Sequence, residues 1–314
     1  MDDWRKKADV LNPNGVASSE IQQRLTFGRE PQAILSIITT DGTRDDNFQY
    51  PAGWSGDPNM SLDQLMKALK MDSQSYATIK WKGGVTGQLV VEYSNLKNTS
   101  YIDSDGQTKH ISKIRVTYNM DSSNLEHGIT VFSDITDGFG YLNTSGATAT
   151  YVLYGEDGKP LDLSNGHAYL TVTSLNNHSQ GIESVSSGKN TEAYAILGSS
   201  VSNHNGSLYA DQNNNPKPEG SWDVAAHNNS GWDLKGPYEY YGAGLIKVTS
   251  NNFALHYYVQ NSNAPAPSGK GVGPWVTITT DVVATPGPKY EGPEKPTLKT
   301  TETHYHYNTY FKLP

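Results

Sequence analysis

The feature that most constrains the fold of this chain is a two-residue alternation of apolar and polar side chains that begins near residue 76. In one such segment Ile114 and Val116 fall on one face, and Lys113 and Arg115 fall on the other. Side chains alternate between faces in this way along a half-buried β-strand. The same alternation occurs at residues 89–93, 149–154, 170–174, 246–248, 253–257 and 276–278. Strands joined by loops of variable and often large length, with no internal repeat, predict a mainly β protein built as a β-sandwich.

The composition agrees with an ordered β domain. The 314 residues are 35% hydrophobic and 18% charged, with 20 Tyr against 6 Phe. Low charge and many β-forming aromatic residues are typical of strands and polar loops. A mean hydropathy of -0.61 also suits a disordered chain. Disorder is disfavoured because the aromatic residues fall within the alternating segments.

The sequence lacks the residues for several kinds of bond and site, and for a membrane-spanning helix. It contains no Cys, which removes disulfides, thiolate metal sites and Cys nucleophiles. No apolar run approaches the ~18 residues that a membrane-spanning helix needs, so we expect no membrane insertion. The opening Met1–Arg5 is polar and unlike a signal peptide. We therefore expect a fragment of a longer exported protein.

Three regions are predicted along the chain. Residues 1–75 appear irregular apart from one helix, which a Ser61/Gln64 capping box starts. Its apolar face has the 3.6-residue period of a helix and comprises Leu62, Leu65, Met66 and Leu69. Residues 76–285 form the predicted β-sandwich domain. Residues 286–314 hold four prolines within eleven residues at their start, which predicts an extended linker to a following stalk domain.

Motifs for catalysis or metal binding are absent from the sequence. It has no G-x-S-x-G, phosphate-binding glycine loop or H-E-x-x-H motif. Asp103-Ser104-Asp105-Gly106 is similar to the start of a calcium loop, but it lacks the later bidentate Glu and is interpreted as a tight turn. We expect no catalytic residue, cofactor or metal ligand, and no motif supports a structural calcium ion. A glycoside hydrolase that uses Glu183 and Asp233 stays open as an alternative.

Five short motifs follow one another in a fixed order between residues 174 and 244. They are Ser174-Leu175-Asn176, Ile182-Glu183, Leu197-Gly198-Ser199-Ser200, Ser230-Gly231-Trp232-Asp233 and Tyr240-Tyr241-Gly242-Ala243-Gly244. Their order resembles the adhesin domain of the glucan-binding protein C and antigen I/II families of Gram-positive surface proteins. Within that group the sequence is most similar to the adhesin domain of enterococcal aggregation substance.

The resemblance implies a fold, a location and a function. The fold is a large lectin-like β-sandwich, or supersandwich, with a few short helices and a loop-walled cleft. The location is extracellular, in a longer protein anchored to the cell wall. The function is non-catalytic binding of lipoteichoic acid and extracellular DNA, without sequence specificity, which promotes cell aggregation, biofilm formation and conjugative plasmid transfer. The alternatives are lectin-like binding of neutral glucan or host glycans, and a structural stalk module.

The motifs also supply candidate ligand-binding residues. Carbohydrates and glycerophosphates are bound by amides and hydroxyls on a rigid sheet, with aromatic rings against apolar sugar faces. Ser174 and Asn176 end an alternating strand, where side chains emerge at a rim. Residues 203–239 form a long polar loop that carries several aromatic residues. The candidate residues are Ser174, Asn176, Glu183, Ser199, Ser200, Trp232, Asp233, Tyr240 and Tyr241.

A separate basic patch is predicted for DNA. The net charge of -8 disfavours general polyanion binding, so a local group of cations is required. Lys80 and Lys82 flank Trp81 and point to one face, and Lys113 and Arg115 share a face in the same way. If the two strands adjoin, these four cations can follow one phosphate backbone.

Overall fold

Two antiparallel sheets make up the fold in the computed structural model, which describes residues 11–17, 20–46, 61–68, 70–178, 181–214, 239–260 and 274–280. The strands are β1 (Leu25–Thr26), β2 (Ile34–Thr40), β3 (Thr43–Arg44), β4 (Tyr76–Trp81), β5 (Gln88–Ser94), β6 (Ser100–Ile102), β7 (Thr108–Met120), β8 (His127–Phe132), β9 (Phe139–Leu142), β10 (Gly146–Gly155), β11 (Ala168–Thr173), β12 (Asn177–His178), β13 (Gly181–Ser187), β14 (Thr191–Ala195), β15 (Val201–His204), β16 (Ser207–Ala210), β17 (Gly244–Val248), β18 (Asn252–Gln260) and β19 (Trp275–Thr279). Helical segments are α1 (Leu62–Ala68) and the 3₁₀ helices Ile135–Asp137 and Glu239–Gly242.

Among the described residues, the larger sheet has eleven strands, and its main path runs β1-β6-β7-β10-β18-β13-β16-β15. Strand β5 pairs with both β2 and β7, and β12 pairs with β13. In the ranges that the structure describes, the smaller sheet has eight strands in the order β14-β17-β11-β19-β9-β8-β4-β3. This architecture confirms the predicted mainly β sandwich with few helices. In the described part of the chain, no helix has the length and apolar character needed to cross a bilayer.

The core lies between the two sheets and follows the alternation in the sequence. Ile114, Val116 and Tyr118 of β7 are buried there, together with Ile129 and Val131 from the smaller sheet. Burying such apolar surface contributes about 25 cal/mol for each Å² removed from water. Tyrosine occupies many of these core positions, and some of its hydroxyl groups are paired there. The Tyr151 and Tyr257 hydroxyls, for example, lie 3.0 Å apart.

The smaller sheet is buried on both faces in its centre. All six residues of β8 are buried, although only alternate ones can face the other sheet. On the opposite face Phe132 packs with Met66 of α1 and Trp275. A strand buried on both sides has no polar face, so β8 lacks the alternation that marks the other strands.

The start of α1 confirms the predicted capping box. The Ser61 amide donates to Gln64 Oε1 at 2.8 Å, and the Gln64 amide donates to Ser61 Oγ at 3.2 Å. Met66 from the predicted apolar face is buried. The side chain of Leu65 and the whole of Leu69 lie outside the described residues.

Residues 20–46 are more regular than their sequence indicates. They supply β1 and β2 to the larger sheet and β3 to the smaller one. A bulge between Ile37 and Thr39 of β2 shifts its register against β5. An inserted residue interrupts the two-residue period, which explains why residues 33–38 read as an apolar run and not as a strand. The domain boundaries near 75 and 285 stay predictions.

Candidate functional site

The chain passes from one sheet to the other at residues 174–176. Strand β11 ends at Thr173 in the smaller sheet, and β12 begins at Asn177 in the larger one. Ser174 is buried and has φ = 63°, a left-handed conformation that few residues other than glycine adopt. The Leu175 amide donates to the carbonyl of Gly242 at 2.9 Å. The turn is thus held in a costly backbone conformation by the structure around it.

Asn176 and Glu183 are bound to each other at this crossing. The amide and Nδ2 of Asn176 donate to Glu183 Oε2 at 3.0 and 3.1 Å, and the Glu183 amide donates to the Asn176 carbonyl at 2.7 Å. The Glu183 side chain is buried. Hydrogen bonds from amide groups stabilise a buried carboxylate. Burial, followed by the charges of Glu183 and Asp121, raises the pKa of Tyr141 well above its ordinary value.

Ser199 and Ser200 bind the segment that carries the two candidate tyrosines. Ser199 Oγ is 2.6 Å from the Ala243 carbonyl, and Ser200 Oγ donates to the Tyr241 carbonyl at 2.5 Å. Tyr240 is 1% and Tyr241 5% exposed, and both rings pack in an apolar cluster with Ile196 and Leu245. The structure brings these four residues together, and Ser199, Tyr240 and Tyr241 are buried with contacts inside the protein. Ligand binding by them stays a prediction.

Asn214 completes this arrangement and was not predicted from the sequence. Its buried Nδ2 donates to the Leu175 carbonyl at 3.0 Å and to Ser200 Oγ at 2.9 Å, and its Oδ1 accepts from the Asn177 amide at 2.8 Å. We call Ser174, Asn176, Glu183, Ser199, Ser200 and Asn214 the junction cluster. Nothing near Asn214 in the sequence identifies it, because its partners are 14 to 39 residues away.

A second unpredicted residue fixes the junction cluster from the N-terminal side. Asn12 Nδ2 donates to the carbonyls of Ser199 and Val201 at 2.7 and 2.8 Å. The Gly198 amide donates to the Leu11 carbonyl at 2.8 Å. These partners are almost 190 residues apart in the chain, so no local pattern reveals the contact.

The prediction that residues 203–239 form one long loop is wrong at its start, because β15 extends to His204 and β16 spans Ser207–Ala210. The junction cluster lies beside both ends of the remaining stretch, residues 215–238. Asn214 precedes residues 215–238, and Glu239 follows them. Trp232 and Asp233 belong to this stretch and lie outside the described residues, so the cleft and the Glu183–Asp233 pair stay untested predictions. In the ranges that the structure covers, no group of three or more His, Cys, Asp or Glu side chains is arranged to hold a metal.

The interpretation of residues 103–106 as a tight turn is confirmed. Asp103 Oδ1 accepts from the amides of Asp105 and Gln107 at 3.0 and 2.9 Å. The Gly106 amide donates to the Asp103 carbonyl at 3.1 Å. A side chain that accepts from the backbone two residues later is typical of Asp in turns.

The four cations of the predicted DNA patch lie on two different surfaces. Lys80 is in β4 of the smaller sheet, and Lys113 and Arg115 are in β7 of the larger sheet. Each points away from the core, because its neighbours in the strand are buried there. The two strands do not adjoin, so the condition for one four-cation patch is not met. The alternation placed Lys113 and Arg115 on one face correctly, since both contact Glu92. It carries no information on which strands are neighbours.

Three of these cations are also paired with carboxylates. Lys80 Nζ lies 2.9 Å from Asp45 and 3.6 Å from Glu126. Lys113 and Arg115 share Glu92, at 2.8 and 3.2 Å. Lys82 directly follows β4 and is exposed. Carboxylates at this distance offset much of the attraction that the cations exert on a phosphate.

Comparisons with known proteins agree with this architecture. The chain matches the glucan-binding protein C family over residues 9–279. Glucan-binding protein C of Streptococcus mutans, which structural analysis indicates mediates sucrose-independent and sucrose-dependent adherence, is 26% identical with a TM-score of 0.61. That alignment covers 88% of this chain and 83% of the other.

Two structures of the adhesin domain of PrgB from Enterococcus faecalis have the same fold. The one bound to DNA is 17% identical with a TM-score of 0.62, covering 86% of this chain and 99% of that domain. The other is 16% identical with a TM-score of 0.60, covering 87% and 92%. The resemblance inferred from the five motifs is confirmed, since the family match spans most of the sequence: this chain belongs to the glucan-binding protein C family of adhesin domains.

Proposed function

We propose that this chain is a non-catalytic adhesin domain that holds an extracellular polymer at the surface of a Gram-positive cell. The observation that supports this most directly is the junction cluster, in which polar groups from separated segments are fixed around both ends of residues 215–238. Binding sites in general place a few polar groups on a rigid framework beside a loop. The cluster would hold the described residues on both sides of that stretch in fixed positions beside a polymer.

A neutral glucan is the polymer that the described residues favour. The chain carries a net charge of -8, and Lys80, Lys113 and Arg115 are paired with carboxylates. A neutral chain is not repelled by this charge, whereas a polyanion is. Membership of a family described by glucan binding supports the same choice.

Extracellular DNA and lipoteichoic acid are the second candidate. The observation in their favour is that an adhesin domain of the same fold has been solved with DNA bound. Both polymers carry phosphate charges, so both would use cations such as Lys82. Cell aggregation, biofilm formation and plasmid transfer would follow from binding of either polymer class on neighbouring cells.

A titration at two salt concentrations separates these candidates. The chain is titrated with dextran, lipoteichoic acid and duplex DNA. Affinity for dextran should be nearly independent of salt, whereas affinity for DNA should fall with a slope of about -0.9 for each phosphate neutralised. Failure of all three polymers to bind would contradict the proposal.

The role of the junction cluster is tested by Asn176→Ala. The loss of the Nδ2 hydrogen bonds to Glu183 Oε2 and to the Ser174 carbonyl should cost about 1–3 kcal/mol of stability and weaken polymer binding. Gln107→Ala is the matched control, because Gln107 is an exposed amide in a turn away from the cluster. Binding is measured well below the unfolding temperature of both variants. Equal affinities would remove the cluster from the binding site.

Absence of catalysis is tested with the same polymer. We expect no new reducing ends when dextran is incubated with the protein. Release of reducing ends that is lost in Glu183→Gln would instead support the glycoside hydrolase alternative.

A further inference from the structure

We propose a second binding surface, separate from the junction cluster, on the outer face of the larger sheet. Its residues are Ser186, His204, Ser207, Tyr209, His256 and Tyr258, which we call the His–Tyr strip. The ligand that we assign to it is a neutral polysaccharide chain. The class of ligand rests on the proposed function, whereas the location does not.

The strand register aligns the strip into a straight row. His256 of β18 lies opposite Ser186 of β13, Ser186 lies opposite Ser207 of β16, and Ser207 lies opposite His204 of β15. Neighbouring strands are about 4.8 Å apart, so the row is roughly 14 Å long. This length suits several sugar units of a chain better than a single monosaccharide.

The side chains of the row point away from the core. Their neighbours Val185, Leu208, Leu255 and Tyr257 are fully buried between the sheets, and alternate residues of a strand point to opposite faces. The His256 and His204 side chains are 37% and 31% exposed.

Two pairs of parallel rings stand near the ends of the row. The His256 and Tyr258 rings have centroids 5.0 Å apart and planes 7° from parallel, and the His204 and Tyr209 rings have centroids 3.9 Å apart and planes 15° from parallel. Stacking holds each pair in one orientation before any ligand binds. Rings fixed in this way present flat surfaces to the apolar faces of sugars at a low cost in conformational entropy.

Hydroxyl groups lie between the two ring pairs. Ser186 Oγ and Ser207 Oγ are 2.7 Å apart, and Ser186 Oγ is 3.3 Å from the Tyr258 hydroxyl. Hydroxyls both donate and accept hydrogen bonds, as sugar hydroxyls do. The strip therefore offers apolar faces at its ends and exchangeable hydrogen bonds at its centre, which is the combination that a carbohydrate requires.

Charge on this surface favours a neutral chain over a polyanion. His256 lies 3.1 Å from Asp121, and His204 lies 3.0 Å from Asp211, so a carboxylate stands beside each ring pair. On the same face, Lys113 and Arg115 are paired with Glu92. Phosphate groups laid along the row would meet these carboxylates, whereas a glucan would not.

The test measures dextran binding to Tyr209→Ala/Tyr258→Ala in the full chain. We expect affinity to fall roughly tenfold, since both rings that would contact the sugar chain are removed. Tyr154→Ala is the matched control. Tyr154 lies on the same face of the same sheet, next to Lys113 in β7 and outside the strip, and its loss should leave affinity unchanged.

A second readout requires no substitution. Dextran should shift the NMR signals of the His204 and His256 imidazoles in the wild-type chain, while DNA at the same concentration should not. If the double Ala variant fails to fold, Tyr209→Leu/Tyr258→Leu removes the rings but retains a larger apolar side chain than alanine at both positions.

The outcomes separate this proposal from the proposed function. Dextran binding that Asn176→Ala weakens and the strip variants leave intact would overturn the strip alone. Weaker dextran binding in the strip variants, together with shifted imidazole signals in the wild type, would support the strip. This holds whether or not Asn176→Ala weakens dextran binding. Absence of dextran binding to the wild-type chain, or unmoved imidazole signals at saturation, would overturn it.

Discussion

At the scale of single residues, Glu30 is a buried acidic side chain on which a neighbouring turn depends. It is 1% exposed, and its two carboxylate oxygens accept from the Lys97 amide at 2.7 Å, the Asn98 amide at 2.6 Å and Thr99 Oγ1 at 2.8 Å. These bonds join the segment before β2 to the turn between β5 and β6. Two backbone donors have no other described partner, so this turn depends on one side chain.

Glu30→Gln should therefore destabilise the domain. The amide group retains one acceptor oxygen and places a donor against the amide of Lys97 or Asn98. An unsatisfied buried donor costs about 1–3 kcal/mol, and we expect a loss of about 2 kcal/mol or more in urea unfolding. Glu126→Gln is the control, because Glu126 is 51% exposed and lies 3.6 Å from Lys80; it should change stability by less than about 0.5 kcal/mol. Equal effects of the two substitutions would contradict this role.

Individual structural elements depend on residues at their ends, as the 3₁₀ helix Ile135–Asp137 shows. Asp134 accepts from the Thr136 amide at 2.9 Å at its start, and Gly138 ends it with φ = 74°. A Cβ atom on Gly138 would lie 1.9 Å from the Val276 carbonyl oxygen of β19. Backbone atoms of a paired strand do not move aside easily, so glycine is required here for space as well as for conformation.

Comparing Gly138→Ala with Gly84→Ala distinguishes the cost of a steric clash from the cost of a left-handed backbone conformation. Gly84 also has positive φ, at 84°, but nothing lies within 4 Å of its Cβ position. Gly84→Ala should cost only the backbone term of about 1–2 kcal/mol. Gly138→Ala should cost clearly more, about 3 kcal/mol or above, because a clash is added and because φ of 74° with ψ of -147° is a conformation almost confined to glycine. Thermal and urea unfolding measure the loss of stability in each variant. Equal losses would mean that β19 moves aside at no cost in stability.

The pairing of β5 with β7 should make stability depend on pH through Glu92. Burial alone would raise the pKa of Glu92, but the hydrogen bonds and charges of Lys113 and Arg115 bring it below its usual value. A folded-state pKa below the unfolded one, about 4.3, gives stability that is present above that pH and lost as the pH falls through the folded pKa. Glu92→Gln should therefore lose less stability than the wild type between about pH 5 and about pH 3. Asp105→Asn, at an exposed turn, should follow the wild type, and parallel curves for all three would refute the effect.

Elements with one polar face were predictable from the sequence, and the others were not. Strands β7 and β10 alternate because one face meets the core and the other meets solvent. Strand β8 is buried on both faces, and β2 contains a bulge, so neither has a regular two-residue period. The capping box of α1 was predictable because its hydrogen bonds join residues only three apart.

For the whole molecule, the limit of sequence reasoning is the pairing of distant segments. The motifs at residues 174–200 and 240–244 indicated which segments meet, because the family resemblance supplied that information. Asn12 and Asn214 contribute to the same junction through contacts with residues up to 189 positions away. Single asparagines in polar loops have no local signature for such a contact. The same limit applies to β4 and β7, whose assignment to different sheets decides how the cations can act.

The division of the cations between two sheets changes what DNA binding should look like. Lys80 and Lys82 lie on one side of the sandwich, and Lys113 and Arg115 lie on the other, so one DNA segment can reach only one pair. If the chain binds duplex DNA, Lys80→Gln/Lys82→Gln and Lys113→Gln/Arg115→Gln should not both flatten the salt dependence. Each phosphate contact contributes a slope of about -0.9, so the effective pair should change the slope by at most about two units, and the fourfold variant by no more. Mobility-shift titrations across a salt series measure these slopes, with Lys159→Gln in an exposed turn as the control. A fourfold variant that flattens the slope by three to four units would require both sides of the sandwich to contact DNA at once.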